Sequence, residues 1–115
     1  MASDQPLQPT SVPPADTSGL AAFLAWSGLL LVDFWAPWCS PCKALTPVLH
    51  ELGKNFEGRV RIVNVNADEC PEMAAHFQVL SLPTLILFRD GSVLDRIVGT
   101  RSRRELELLL LKYLP

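Results

Sequence analysis

Residues 29–35, L-L-L-V-D-F-W, are apolar without a break except for Asp33. A strand of this composition has no face to offer water, so both of its faces must be covered. That demand selects a sheet with helices on either side over a one-sided antiparallel sheet. The rest of the pattern agrees. Leu45, Val48, Leu49 and Leu52 recur at helical spacing in a segment running to about Asn55. Pro47 lies inside that segment, where it removes a backbone donor and predicts a kink. R-V-R-I-V-N-V-N, 59–66, alternates and is β-branched, which reads as a strand. Pro71 suits the first turn of a short helix through E-M-A-A-H-F. T-L-I-L-F, 84–88, and V-L-D-R-I-V, 93–98, read as strands joined by a hairpin turn centred on Asp90-Gly91. Ser102 and Glu105 form a capping box ahead of a last helix, E-L-E-L-L-L-L-K-Y-L. The sum is an α/β fold: a central mixed sheet of four to five strands flanked by helices on both faces.

Asp33 is then an anomaly. A carboxylate in a doubly covered strand is costly unless it is protonated or paired. Two residues on begins W-A-P-W-C-S-P-C-K, 35–43, with two cysteines three positions apart. The strand's end and the helix's start meet at Cys39. There its sulfur faces unpaired helix N–H groups and the positive end of the helix dipole, both of which favour thiolate. Cys42 falls on the same helix face, close enough to close a disulfide. Pro41 stiffens the turn and Trp38 flanks it with apolar surface. The chemistry this allows is dithiol–disulfide exchange: Cys39 attacks a substrate disulfide, and Cys42 attacks the resulting mixed disulfide to release product. Asp33 is a candidate proton acceptor for Cys42.

Other readings stand beside this one. Cys70 and His76 would complete a four-ligand zinc site with the pair, but the intervening proline and the helix geometry suit a disulfide better. No metal or cofactor is expected. Cys70 otherwise reads as a small, semi-exposed residue, His50 and His76 as solvated, and Trp26 as core. With 115 residues, 49% hydrophobic, the chain is long enough to bury a core without cross-links. A net charge of −2 offers no basic stripe for nucleic acid. The apolar stretch from Leu20 to Val32 is short for a membrane span and is broken at Ser27-Gly28. The first basic residue is Lys43, so no secretory n-region is evident and the cytoplasm is the expected location. Residues 1–16 hold four prolines and no apolar period and read as a disordered tail. A helix through L-A-A-F-L-A-W, capped near Asp16, Thr17 or Ser18, would open the domain at 17–115.

W-C-S-P-C-K resembles the W-C-G-P-C-K site of the thioredoxin family, differing at Ser40. The resemblance extends along V-D-F-W-A, Pro47, S-L-P-T-L-I-L-F, D-G and V-G, over roughly residues 17 to 115. It implies the thioredoxin fold and reversible reduction of protein disulfides through Cys39 and Cys42, without a bound cofactor. It also implies recharging by an NADPH-dependent thioredoxin reductase. The family's cis-proline falls on Pro83. Trp38, Ser40, Pro41, Leu82, Pro83 and Gly99 would line a substrate groove, with the Leu82 backbone pairing with an extended substrate. The resemblance also favours the proton-accepting role for Asp33.

Three departures from the family bear on these expectations. Ser40 replaces glycine, and its hydroxyl would stabilise the thiolate, so an oxidising or isomerising relative is the main alternative. A non-catalytic binding module of the same fold is the lesser one. Asn64 stands where many relatives carry a lysine near the buried acid, so Asp33 should hold its proton more tightly. Ser81 stands where relatives often have glycine. The family's extra first strand would fall on P-T-S-V-P-P, 9–14, whose prolines blunt a ladder. In the last helix Leu106, Leu109, Leu110 and Tyr113 share a core face. Leu108 and Leu111 lie off it, giving an otherwise monomeric protein a surface for weak self-association.

Overall fold

The computed structural model describes residues 25–115. The expected tail, the blunted first strand and the body of the first helix therefore lie outside the described residues. What is described runs β1 (Leu29–Trp35), α1 (Ser40–Asn55), β2 (Val60–Asn66), α2 (Pro71–His76), β3 (Thr84–Arg89), β4 (Ser92–Val98) and α3 (Arg103–Tyr113). Each element matches the sequence pattern to within a residue or two, the usual scatter at helix and strand ends.

The four strands form one mixed sheet in the order β2-β1-β3-β4. β1 is parallel to β2, with Asp33 opposite Asn64, and antiparallel to β3, with Asp33 opposite Leu85. β1 is thus central, and its alternating side chains split two cores. Leu29 and Leu31 point to a cluster with Leu45, Leu49 and Leu52 of α1 and Leu106 and Leu110 of α3. Leu30, Val32 and Phe34 point the other way, to Met73, Ala74 and Phe77 around α2. The uninterrupted apolar run is what this two-sided burial requires.

The β3–β4 hairpin turns through Asp90 (φ 51°) and Gly91 (φ 84°), the left-handed pair of a type I′ turn. The Asp90 carboxylate accepts the Gly28 N–H at 2.7 Å, tying the hairpin tip to the entry of β1. At α3 the capping box is complete: Ser102 Oγ accepts the Glu105 N–H at 3.1 Å and the Glu105 carboxylate accepts the Ser102 N–H at 2.9 Å. Leu106 and Leu110 are buried, Leu109 and Tyr113 half-buried, and Leu108 and Leu111 exposed. Pro47 sits on the exposed face of α1, and the helix continues on both sides of it.

Two expectations are corrected. Trp26 is not core: it lies on the surface just before β1, and the Arg61 guanidinium stacks on its ring at 4.3 Å. Cys70 is not semi-exposed but buried, at the N-cap of α2. Its N–H donates to Asn66 O at 2.9 Å, and this turn folds the side chain inward among Val63, Val65 and Met73. His50 and His76 are exposed as expected.

The end of α2 carries a local conflict. The Gln78 N–H donates to Ala75 O at 3.0 Å and the Val79 N–H to Ala74 O at 2.8 Å, the paired bonds of a Schellman motif. That motif needs a left-handed residue, and here it is Gln78 at φ 56° rather than glycine. Gln78→Gly should therefore stabilise the fold by about 0.5–1 kcal/mol, relief of Cβ strain outweighing the added freedom of the unfolded chain. A urea midpoint equal to or below wild type would show that the turn carries no such strain.

Candidate active site

β1 delivers Trp35 to the sheet's end, and the chain turns through Ala36, Pro37 and Trp38 into α1. The Cys39 N–H donates to Ala36 O at 3.1 Å, which closes this turn. Cys39 is the N-cap of α1, and Pro41 stands in its first turn, where a missing N–H matters least. Cys39 and Cys42 are joined as a disulfide with their Cα atoms 5.3 Å apart. The Cys42 N–H donates to Cys39 Sγ at 3.2 Å. The sulfur thus takes the place of a capping oxygen, and as a thiolate it would accept a charge-assisted bond at the positive end of the helix. Both cysteines are buried, at 4% and 2% exposure, so only a small window admits a partner sulfur.

The surroundings come from three further segments. Leu82 packs against the cluster of Ala36, Cys39 and Cys42. The Leu82–Pro83 peptide is cis, as the resemblance implied. Gly99, at φ 90°, donates its N–H to Pro83 O at 2.9 Å, so the exit of β4 lies against the same loop. Ser40 and Pro41 are exposed on the first turn of α1. Trp38 is 68% exposed, and its indole N–H donates to an Asp68 carboxylate oxygen at 2.8 Å. Trp38, Ser40, Pro41, Leu82, Pro83 and Gly99 therefore sit on segments that the cysteine turn, the cis-proline loop and the end of β4 bring close together.

Asp68 is a neighbour that the sequence reading missed. The Asn66 side chain accepts the Asp68 N–H at 2.9 Å, so an Asx-type turn after β2 presents the Asp68 carboxylate to Trp38. The signal available was the N-A-D spacing directly after a strand, 66–68.

Asp33 is 4% exposed, and strand alternation puts it on the α1 side of the sheet with Leu31 and Trp35. One of its carboxylate oxygens, Oδ1, and the Trp35 indole nitrogen are both buried without a hydrogen-bond partner. Burial alone pushes the Asp33 carboxyl up to about 7, from an ordinary 3.8. Asn64, facing it across the β1–β2 ladder, is buried and brings no charge. The groups suit a sulfur nucleophile, a second sulfur in reach of it, and an acid that exchanges its proton near neutral pH. Among the described residues no cluster of three or more His, Cys, Asp or Glu is placed to hold a metal ion.

The comparisons agree with this geometry. The thioredoxin family model matches residues 16–112. Thioredoxin from Staphylococcus aureus strain Mu50 is 48% identical over 88 residues, covering 76% of this chain and 85% of that protein. A mutant thioredoxin from Halobacterium salinarum NRC-1 superposes with a TM-score of 0.81 at 28% identity, covering 93% of this chain and 94% of that one. A chain solved in work on the thiol-resolving mechanism of yeast mitochondrial 1-Cys peroxiredoxin, via glutathione/thioredoxin systems, gives a TM-score of 0.80. Its identity is 27%, and the match covers 89% of this chain and 94% of that one. The chain belongs to the thioredoxin family and is a thiol-disulfide oxidoreductase, a protein-disulfide reductase with Cys39 and Cys42 as its redox-active pair.

Proposed function

We propose that this protein works as a cytoplasmic electron carrier in which Cys39 is the attacking sulfur, Cys42 the resolving one and Asp33 the proton acceptor. The observation that carries this reading is the Cys42 N–H on Cys39 Sγ at the first turn of α1, which favours negative charge on Cys39 over Cys42. The Cys39 thiolate attacks one sulfur of a substrate disulfide. A mixed disulfide forms and the other substrate sulfur leaves as a thiolate. Asp33 then takes the proton from Cys42, whose sulfur attacks Cys39. The Cys39–Cys42 disulfide closes and the second substrate sulfur leaves, so two electrons have passed to the substrate. An acid poised near 7 serves this step because it accepts and returns a proton at neutral pH.

The substrate lies along Trp38, Ser40, Pro41, Leu82, Pro83 and Gly99, with its backbone paired to Leu82. An NADPH-dependent thioredoxin reductase returns the pair to the dithiol. The catalytic domain spans residues 17–115, in keeping with the family match over 16–112. The exposed Leu108 and Leu111 favour weak self-association through α3. No helix among the described residues is long and apolar enough to cross a membrane.

Equilibrating the protein against a glutathione redox series tests the direction of electron flow. The potential should fall near about −270 mV, a value that is thioredoxin's own rather than one obtained from this geometry. A potential near about −120 mV would instead make it an oxidant, with the Ser40 hydroxyl as the cause.

A further inference from the structure

The loop that carries Leu82 to the cysteines has a second side. There Ala75, Gln78, Leu80, Ser81, Thr84, Arg96 and Val98 line an open cavity of about 780 Å³. Leu80 is 93% exposed and Val98 51% exposed, so two branched apolar side chains stand in water at its rim. Exposure of this degree is ordinary for one leucine; here two such residues border one cavity on the loop that also carries Leu82 to the cysteines.

The cavity is held in shape. The left-handed Gln78 ends α2 and sends the chain outward through Leu80. The Arg96 guanidinium, reaching from β4, donates to Phe77 O and Gln78 O and pins that turn to the sheet. Thr84 Oγ1 donates to Ser81 O at 2.7 Å and closes the loop on its other side. A strained residue kept in place by two outside hydrogen bonds is the pattern of a preorganised site.

We infer that this cavity is a specificity subsite for protein-disulfide substrates: it takes a bulky apolar side chain close to the substrate cysteine and disfavours a basic one. This rests on the reductase reading above and narrows its substrate class. Continuity carries the occupant. Leu82 touches the cysteine pair and Leu80 is two residues away in the same loop, so a polypeptide that reaches Cys39 alongside Leu82 runs toward or past the cavity. Charge carries the preference. The cavity's lining holds one guanidinium and no carboxylate, and the Arg96 guanidinium donates to backbone carbonyls, so no carboxylate of the lining neutralises it. A lysine brought there meets like charge, whereas a leucine removes water from Leu80 and Val98.

The test uses disulfide-linked peptides that differ only by Leu or Lys, scanned over the three positions on either side of the cysteine. At one or more positions the wild-type protein should reduce the Leu peptide with a kcat/KM about tenfold above the Lys peptide, a difference carried by KM. Leu80→Ser should bring that ratio toward one, and Leu80→Met should keep it. Val98→Ser, on a separate element, should lower it as well. Equal rates for the two peptides at every position in wild type, or a ratio that survives Leu80→Ser, overturns the subsite while leaving disulfide reduction standing. Failure of wild type to reduce either peptide removes the reductase reading and the subsite with it.

Discussion

Cys39→Ser is expected to abolish turnover, cutting reduction of a protein disulfide such as insulin's by at least about a thousandfold. The nucleophile in disulfide exchange is a thiolate, and a serine hydroxyl is not ionised at neutral pH even with a helix N–H aimed at it. No other group at the site replaces it. Cys42 is buried at 2% exposure beneath the first turn of α1, and Cys70 lies in the opposite core, at the start of α2. Cys42→Ser should fail differently. The first attack proceeds, the mixed disulfide forms, and nothing resolves it, so the protein should accumulate as a covalent adduct with its substrate. Mass spectrometry of the non-reduced mixture separates the two variants. Near-normal reduction by Cys39→Ser, or an adduct formed by Cys39→Ser rather than by Cys42→Ser, would reverse the assignment of attacker and resolver.

Asp33→Ala should make the protein more stable at pH 8 and slower at its chemistry. The folded carboxyl titrates at about 7 and the unfolded one near its ordinary 3.8. Between those values the unfolded chain ionises while the folded chain stays protonated. Stability is therefore complete below about pH 4, declines as pH rises toward 7, and levels off above it. The full decline is about 4 kcal/mol, from the distance between the two values. Alanine abolishes this penalty and the unpartnered Oδ1, and it leaves a small void that takes back part of the gain. A net stabilisation of about 2–3 kcal/mol at pH 8 is expected; it shrinks to nothing near about pH 5 and reverses below that, where only the void remains. Turnover should fall about tenfold, since water still accepts the Cys42 proton poorly. Unfolding midpoints and rates from pH 4 to 9 check both. A variant less stable than wild type at pH 8, or as fast throughout, would mean the acid is neither neutral in the fold nor a proton acceptor.

These two residues also mark how far the sequence could be read. The fold was legible because β1 is apolar on both faces, α1 has its stripe of Leu45, Leu49 and Leu52, and the turns carry their own chemistry at Asp90-Gly91 and Ser102–Glu105. The cysteine turn and the burial of Asp33 were legible for the same reason: both are local to one stretch, and burial of the strand fixes the environment of its acid. What escaped depends on contacts between distant segments. Trp26 looks like core by composition, but Arg61 across the sheet gives it a cation to cover instead. Cys70 looks like a surface cap, and only the turn set by Asn66 carries it inward. The Asp68–Trp38 bond joins residues thirty positions apart, and no period in the sequence announces it. The cavity under Leu80 needs Arg96 from a later strand, so it exists only once β4 is paired.

The central place of β1 has a consequence for the making of the protein. One neighbour, β2, follows it after a single helix, but the other is distant: Leu29 pairs with Arg89, sixty residues on. Leu82, which closes over the cysteines, comes forty residues after Cys42. A ribosome adding about 5–20 residues per second leaves roughly 2–8 s between the two. During that interval both thiols have been synthesised while their lid has not. Until the Leu82 segment is made, the cysteine turn lacks a side chain that packs against it in the finished fold, so the pair is expected to be more open to outside thiols and oxidants before β3 is complete than after.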